Sequence, residues 1–194
     1  MNTLNKFLLI LFFLSIPINI CFGQEENVQD EQMQIWMEYM TPGPMHEMLA
    51  SGVGDWTTVS KFWMDPTGEP MVVEGAGTIE MILGGRYEKS TNTSTMMGME
   101  TEGFSITGYD NATGEFTSTW IDNLGTGTAI VKGKYDKSTN SIHSKGTMVD
   151  PMTGQEMEIR EVRTFIDENN QLLEMWITHN GQEFKSMEIE FTRK

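Results

Sequence analysis

A set of charged and apolar side chains at alternating positions could carry the chemistry of this sequence. Glu161 and Arg163 share the period-two phase of Met157, Ile159 and Phe165 in the run 156–166, so all five would lie on one face of a strand. Charges buried inside a protein must be paired, and these two could pair with each other. Trp120 and Asp122 share a strand face in the same way. If these faces meet inside a barrel, they predict a largely apolar cavity with one polar end.

Trp120 is the marker of this cavity, because its phase decides which of two alternating rows faces inward. A one-residue error would exchange the whole set. The same side chains could instead fill a closed core, where the ion pair would serve only to fix the register. The residues predicted to bind a ligand are Trp120, Asp122, Phe104, Glu161, Arg163, Met175 and Met187.

Histidine and methionine are the candidates for metal binding. His46, His143 and His179 form no motif of converging ligands, so solvated side chains or turn caps are their predicted roles. Methionine is abundant, with 17 residues, and the densest cluster lies at 96–99. Thioethers bind Cu(I), so a copper-handling accessory protein is an alternative function. Methionine also fills irregular cores and apolar cavities, which is the simpler explanation.

The motifs of common enzyme classes are missing from the sequence. There is no Gly-x-Ser-x-Gly elbow, no His-Glu-x-x-His helix and no phosphate loop, and Gly84-Gly85 is too short to cradle phosphates. Glu161 and Glu174 could do acid–base chemistry, but glutamate faces outward by default. The sequence therefore favours a non-catalytic binding protein with no predicted catalytic residue. It indicates neither a cofactor nor an oligomeric state.

The first 23 residues predict a secretory signal peptide. A basic residue precedes the apolar run 7–14, which is too short to span a bilayer comfortably, and cleavage after Gly23 would leave no transmembrane anchor. Lipidation of Cys21 is the alternative, but Ile20 precedes it where lipoprotein signals need a small residue. We therefore expect a secreted or periplasmic protein that begins at Gln24 and has no thiol.

The chain is strongly acidic, with a formal net charge of −15 at pH 7. This charge argues against a nucleic-acid partner. Solvated outer faces explain it more simply than an acidic binding site, since Glu188 and Glu190 alternate with apolar residues near the C-terminus.

Two kinds of periodicity divide the chain. Met33, Trp36, Met37 and Met40 follow a helical spacing, and the breaker 41–44 separates them from a short second turn. We expect the helical segment 24–53 to pack on, or close, a barrel formed by residues 54–194. Strand-like runs fill that second part. The runs are Trp56 to Met64, Met71 to Leu83, Arg86 to Ser94, Met99 to Tyr109, Glu115 to Asp122, Thr128 to Tyr135, Ser141 to Val149, Glu156 to Ile166, Leu172 to Thr178 and Glu183 to Arg193.

The connections between these runs predict the topology. Several put Asp at the exit and Gly or Asn before re-entry, as in Asp110 to Gly114. Loops this short join only antiparallel neighbours, and a long twisted meander tends to close on itself. The predicted fold is all-β, an antiparallel up-and-down barrel of roughly ten strands. A two-sheet sandwich is the alternative, although it usually needs longer connections.

Four motifs in order carry a family resemblance: Gly54-Asp55-Trp56, Leu83-Gly84-Gly85-Arg86, Gly108-Tyr109-Asp110 and Trp120-Ile121-Asp122. Over roughly Met45 to Phe191 the chain resembles the bacterial family catalogued as domain of unknown function 1579. Gly-x-Trp also resembles the first-strand signature of lipocalins and related calycin barrels, where a late arginine packs over the tryptophan; Arg193 matches that arginine. The resemblance implies a lipocalin-like barrel and carries over no catalytic residue.

Overall fold

The computed structural model describes residues 23–179 and 181–194. Cys21 and the rest of the predicted signal peptide, up to residue 22, lie outside the described residues. Two helices, α1 (Gly23–Met40) and α2 (Pro44–Ala50), precede ten strands. The strands are β1 (Gly54–Phe62), β2 (Met71–Ile82), β3 (Tyr87–Met96), β4 (Met99–Asp110), β5 (Glu115–Asp122), β6 (Ala129–Asp136), β7 (Ser141–Val149), β8 (Glu156–Phe165), β9 (Asn170–His179) and β10 (Gln182–Arg193).

The strands form a closed barrel in which each strand pairs with its neighbours in sequence and β1 pairs with β10. All ten pairings are antiparallel. Closure removes the free strand edges that would otherwise template aggregation. The predicted all-β up-and-down barrel with a short N-terminal helical segment is confirmed, and the sandwich alternative is wrong. No helix among the described residues is long and apolar enough to cross a membrane.

The turns explain why the chain folds as a meander. Asp110 Oδ1 accepts a hydrogen bond from the backbone N–H of Ala112 at 2.8 Å, and Gly114 takes a positive φ of 68°. The turn from Asp150 to Gly154 repeats this arrangement, with a φ of 70° at the glycine. Each aspartate thus starts a local reversal that returns the chain to the next antiparallel strand.

Helix α2 packs on one end of the barrel. Pro44 occupies its first turn, where a missing N–H costs nothing, and His46 Nδ1 accepts a hydrogen bond from the N–H of Gly43 at 3.0 Å. Leu49 is fully buried in a cluster with Phe116 and other apolar side chains. This helix therefore packs on the core cluster near the β4–β5 loop.

The last turn of α1 is held by side chains of two loops. The amide of Asn111 donates to the carbonyl oxygens of Glu38, Tyr39 and Thr41 at 3.2, 3.1 and 2.9 Å. Arg86 Nη2 donates to the carbonyl oxygen of Met40 at 2.6 Å. These bonds attach the C-terminal turn of α1 to the β4–β5 and β2–β3 loops. The placement of the earlier residues 24–37 against the barrel stays a prediction.

Trp56 and Arg193 meet at the α2 end of the barrel, as the sequence predicts. The guanidinium carbon lies 4.4 Å from the centroid of the fully buried indole. Arg193 also donates through Nη2 to Ser51 O at 2.7 Å, through Nη1 to Val53 O at 2.6 Å and through Nε to Glu168 O at 2.8 Å. One side chain thus joins the chain entering β1, the β8–β9 loop and the last strand.

Glycine is required beside this contact. Gly54 has a φ of 143°, and a Cβ there would lie 2.6 Å from Arg193 Nη1. Trp56 Nε1 donates to Gly52 O at 3.0 Å, so the indole has a polar partner as well as the cation. The Gly-x-Trp motif therefore marks a place where the backbone approaches the arginine closely.

Replacing Arg193 with alanine should lower the free energy of unfolding by about 1 to 2 kcal/mol, because three charge-assisted hydrogen bonds and a cation–π contact are lost. Arg193→Lys should recover only a small part, since an ammonium cannot reach three carbonyls as the planar guanidinium does. Urea unfolding measures the change. Lys194→Ala is the matched control, and an equal loss in that variant would mean that general charge matters and the contact does not.

Candidate ligand-binding cavity

The barrel lumen contains a cavity of about 360 Å³ with two different walls. Strand β4 lies opposite β9 in the closed order of ten strands. The wall formed by β3, β4 and β5 is rich in hydroxyl and amide groups, from Ser90, Asn92, Ser94, Thr101, Ser105, Thr107 and Ser118. The opposite wall, formed by β8, β9 and β10, presents mainly apolar groups, from Ile159, Leu173, Met175, Met187, Ile189 and Phe191.

Trp120 and Asp122 line the cavity on β5. Trp120 Nε1 donates to Asp122 Oδ2 at 2.7 Å, and Asp122 Oδ1 accepts from the N–H groups of Leu124 and Gly125 at 3.0 and 3.2 Å. The indole lies against Gly103, where a Cβ would be 2.4 Å from Trp120 Cζ2. The glycine gives the ring room, and the carboxylate fixes its polar edge.

Arg163 lines the cavity but pairs with Glu88, so the predicted pairing with Glu161 is wrong. Its Nη1 and Nη2 lie 2.6 and 3.0 Å from the two carboxylate oxygens of Glu88, which is fully buried. Nε and Nη2 also donate to Gln171 Oε1 at 3.1 and 2.8 Å. Glu161 and Arg163 project side by side from one strand, whereas Glu88 projects toward the guanidinium from β3. The bidentate geometry therefore forms across the barrel.

Glu161 also lines the cavity, and its carboxylate has no hydrogen bond or ion pair with any described residue. It lies beside Ser144 on β7 and Met175 on β9. Burial raises the pKa of Glu161 to about 7, and the nearby positive charge of Arg163 offsets part of that rise. The lumen thus contains a carboxyl group that changes charge near neutral pH.

Met175 and Met187 lie on the apolar wall as neighbours across β9 and β10. Phe104 is on the other face, which corrects its predicted place in the cavity. The inward row of β4 includes Gly103 and Ser105, so Phe104 between them faces outward, where Lys89 Nζ lies 5.9 Å from its ring centroid. Small inward residues leave room for Trp120 on the neighbouring strand.

The histidines lie apart from one another in three elements. His46 is buried in α2 and packs edge-on against Tyr109 at 5.8 Å between ring centroids. His143 is exposed on β7, with Nε2 3.4 Å from Thr139 Oγ1, and the side chain of His179 lies outside the described residues.

The methionine cluster at 96–99 divides between two environments. Met96 lines the cavity, whereas Met97 is 83% exposed in the β3–β4 turn. In the part of the chain that the structure describes, no three His, Cys, Asp or Glu side chains form a group that could hold a metal ion.

Sequence reasoning missed Glu88, Gln171 and the row of hydroxyl groups. On β3 the inward row begins Glu88, Ser90, Asn92, while the outward row contains Lys89 and Thr91. Both rows are polar, so the alternation of residue types does not show which row of β3 faces the lumen. The only available signal was the position of β3 in a closed barrel, which requires some of its side chains to face the lumen.

The fold and the cavity define the class of this protein. It is a closed, lipocalin-like antiparallel barrel whose lumen is lined by one polar and one apolar wall. Residues 41–193 match the family described as "Protein of unknown function (DUF1579)", and the chain belongs to that family. The crystal structure of Rv2717c from M. tuberculosis is similar, with a TM-score of 0.58 and 13% sequence identity, covering 79% of this chain and 99% of that chain. No curated protein matches the sequence. The structural similarity shows the fold alone.

Proposed function

We propose that this protein is a non-catalytic binding protein that holds a small, largely apolar molecule with one polar end in its barrel lumen. The observation that carries the proposal is the cavity of about 360 Å³, a volume within the range of small-molecule sites, which are commonly about 300 to 1,000 Å³. A core filled by its own side chains would leave no such space.

The two walls support a ligand of mixed character. Met175 and Met187 offer flexible apolar surface that adapts to different shapes. Trp120 adds a large ring whose polar edge already bonds to Asp122. An apolar body would lie along the β8–β10 wall, and its polar end would reach the hydroxyl groups or Glu161.

We also propose that residues 1–23 direct export and that the mature protein works outside the cytoplasm, as a secreted or periplasmic protein. The basic start, the short apolar run and the small residue at position 23 support this proposal. Intact-mass measurement of the protein from its host should find a chain that begins at Gln24. A lipid on Cys21 would contradict both the cleavage site and an unanchored protein.

Trp120→Ala should weaken binding of the neutral apolar dye N-phenyl-1-naphthylamine by about 1 to 2 kcal/mol, because the largest apolar surface of the β5 wall is removed. Dye fluorescence during titration measures the affinity, and circular dichroism verifies that the barrel is folded. Trp176→Ala is the matched control, since Trp176 lies on the outer face of the barrel. There the Cζ atom of Arg160 lies 3.7 Å from the ring centroid of Trp176. Equal affinities of the two variants would contradict lumen binding.

Native mass spectrometry of protein purified from its own host tests the proposal without a chosen probe. A retained organic molecule that Trp120→Ala fails to retain is the expected result. Retained copper in place of an organic molecule would favour the methionine-based alternative.

A further inference from the structure

The charges that line the lumen are unequal in sign. Among the described residues of the lining, four are acidic and one is basic. The acidic residues are Glu88, Glu102, Asp122 and Glu161, and the basic residue is Arg163. The single cation is fully engaged, because both of its terminal nitrogens contact Glu88 and two of its nitrogens contact Gln171. The lumen therefore has no positive charge left for an anionic ligand.

Three of the four carboxylates are either paired with protein groups or exposed to solvent. Glu88 is neutralised by Arg163, and Asp122 accepts hydrogen bonds from Trp120 and from two backbone N–H groups. Glu102 is exposed at the end of the barrel away from α2. Glu161 differs from all three, because it lies inside the barrel and its oxygens have no hydrogen-bond partner among the described residues.

Resting on the proposed binding function, we propose that the polar end of the ligand is a protonated amine, and that its ammonium group sits on Glu161. An ammonium would supply the hydrogen-bond donors that this carboxylate lacks, and it would add a positive charge to that of Arg163, which is already paired with Glu88. The protein as a whole, with a formal charge of −15, also raises the local concentration of cations.

The surroundings of Glu161 fit the body of such a ligand. The carboxylate sits on the apolar wall, next to Met175 on β9 and close in sequence to Ile159 on β8. An alkyl or aryl group attached to the ammonium would therefore contact apolar side chains as soon as the charges meet. Trp120, on the β5 wall, offers a ring face to a cation or to an apolar group.

Other ligand classes fit less well. A fatty acid would place a second unpaired carboxylate beside Glu161, and like charges at close range repel. A neutral alcohol could bond to the protonated carboxyl group, but it would gain no charge pairing. The three classes therefore differ in their expected order of affinity: amine first, alcohol second and carboxylate last.

The test compares octylamine, octanol and octanoate, which share one chain length and differ in the end group. Isothermal titration calorimetry at about pH 8 measures the three affinities. A salt concentration of about 0.15 M screens the weak attraction of cations to the acidic surface. We expect octylamine to bind at least about tenfold more tightly than octanol, and octanoate to bind most weakly. Lowering the pH from about 7 to about 5 should weaken the binding of octylamine, because the ammonium must then displace a proton from Glu161. The affinity for octanol should change little.

Variants separate the amine site from general binding. Glu161→Gln should abolish the preference for octylamine and keep octanol binding, whereas Glu158→Gln, on the outer face of the same strand, should behave as the unmodified protein. Octanol or octanoate binding as tightly as octylamine, or a preference that survives Glu161→Gln, overturns the amine assignment and leaves the proposed function standing. If none of the three probes binds the folded protein, the proposed function fails as well.

Discussion

Replacing Glu88 with alanine should lower the free energy of unfolding by about 3 to 5 kcal/mol, because the guanidinium of Arg163, which is only 16% exposed, would lose the carboxylate that it binds. Glu88 is fully buried and binds Arg163 through both oxygens, at 2.6 and 3.0 Å. Gln171 would remain as a neutral acceptor, which compensates only part of the charge. Urea unfolding at neutral pH measures the loss.

Two further variants show whether the buried pair causes this loss. Glu80→Ala removes an exposed ion pair with Lys89 at 3.1 Å on the neighbouring strands, and should cost less than about 1 kcal/mol. The double variant Glu88→Leu with Arg163→Met should recover much of the loss, since both buried charges are gone. A Glu88→Ala protein as stable as Glu80→Ala would mean that the buried pair contributes no more than an exposed one.

Topology was predictable from the sequence because its causes are local. The aspartate and glycine of each turn, as in Asp110 and Gly114, determine where the chain reverses, and short reversals permit only antiparallel neighbours. Trp56 and Arg193 were predictable as a pair because the family resemblance links a first-strand tryptophan to a late arginine. Closure then follows from the need to pair both edge strands.

The lining of the cavity was predictable only where alternation distinguishes the two faces. On β5 the large ring of Trp120 lies between Thr119 and Ile121, and the row containing Phe116 and Trp120 faces inward. On β4 the same reasoning chose the wrong row for Phe104. Large apolar side chains can face outward when the lumen side must stay small, and a single strand does not contain that information.

Pairing inside the barrel was beyond the sequence for a geometric reason. Arg163 and Glu161 are close in sequence, but the partner of Arg163 is 75 positions away, on the third strand. Which side chains meet across a lumen depends on strand number, tilt and stagger together. These quantities belong to the closed barrel, so Glu161 could be recognised as unpaired only after Glu88 was placed.

That unpaired carboxyl group should make the stability of the empty protein depend on pH. Burial raises the pKa of Glu161 to about 7 in the folded state, from an ordinary value near 4.5 in the unfolded chain. Between these values the folded state binds more protons than the unfolded state, so the free energy of unfolding falls as the pH rises. The favourable contribution is complete below about pH 4.5 and is lost above about pH 7.

Glu161→Gln keeps the size of the side chain and removes this titration. The variant should therefore match the unmodified protein at about pH 4 and exceed its stability at about pH 8 by about 2 to 3 kcal/mol, with water in the lumen lowering the gain. Urea unfolding of both proteins across this range measures the difference. Glu158→Gln, on the outer face of β8, is the matched control for the loss of one carboxylate from the same strand. A difference between Glu161→Gln and the unmodified protein that stays constant across the pH range would contradict the raised pKa of Glu161.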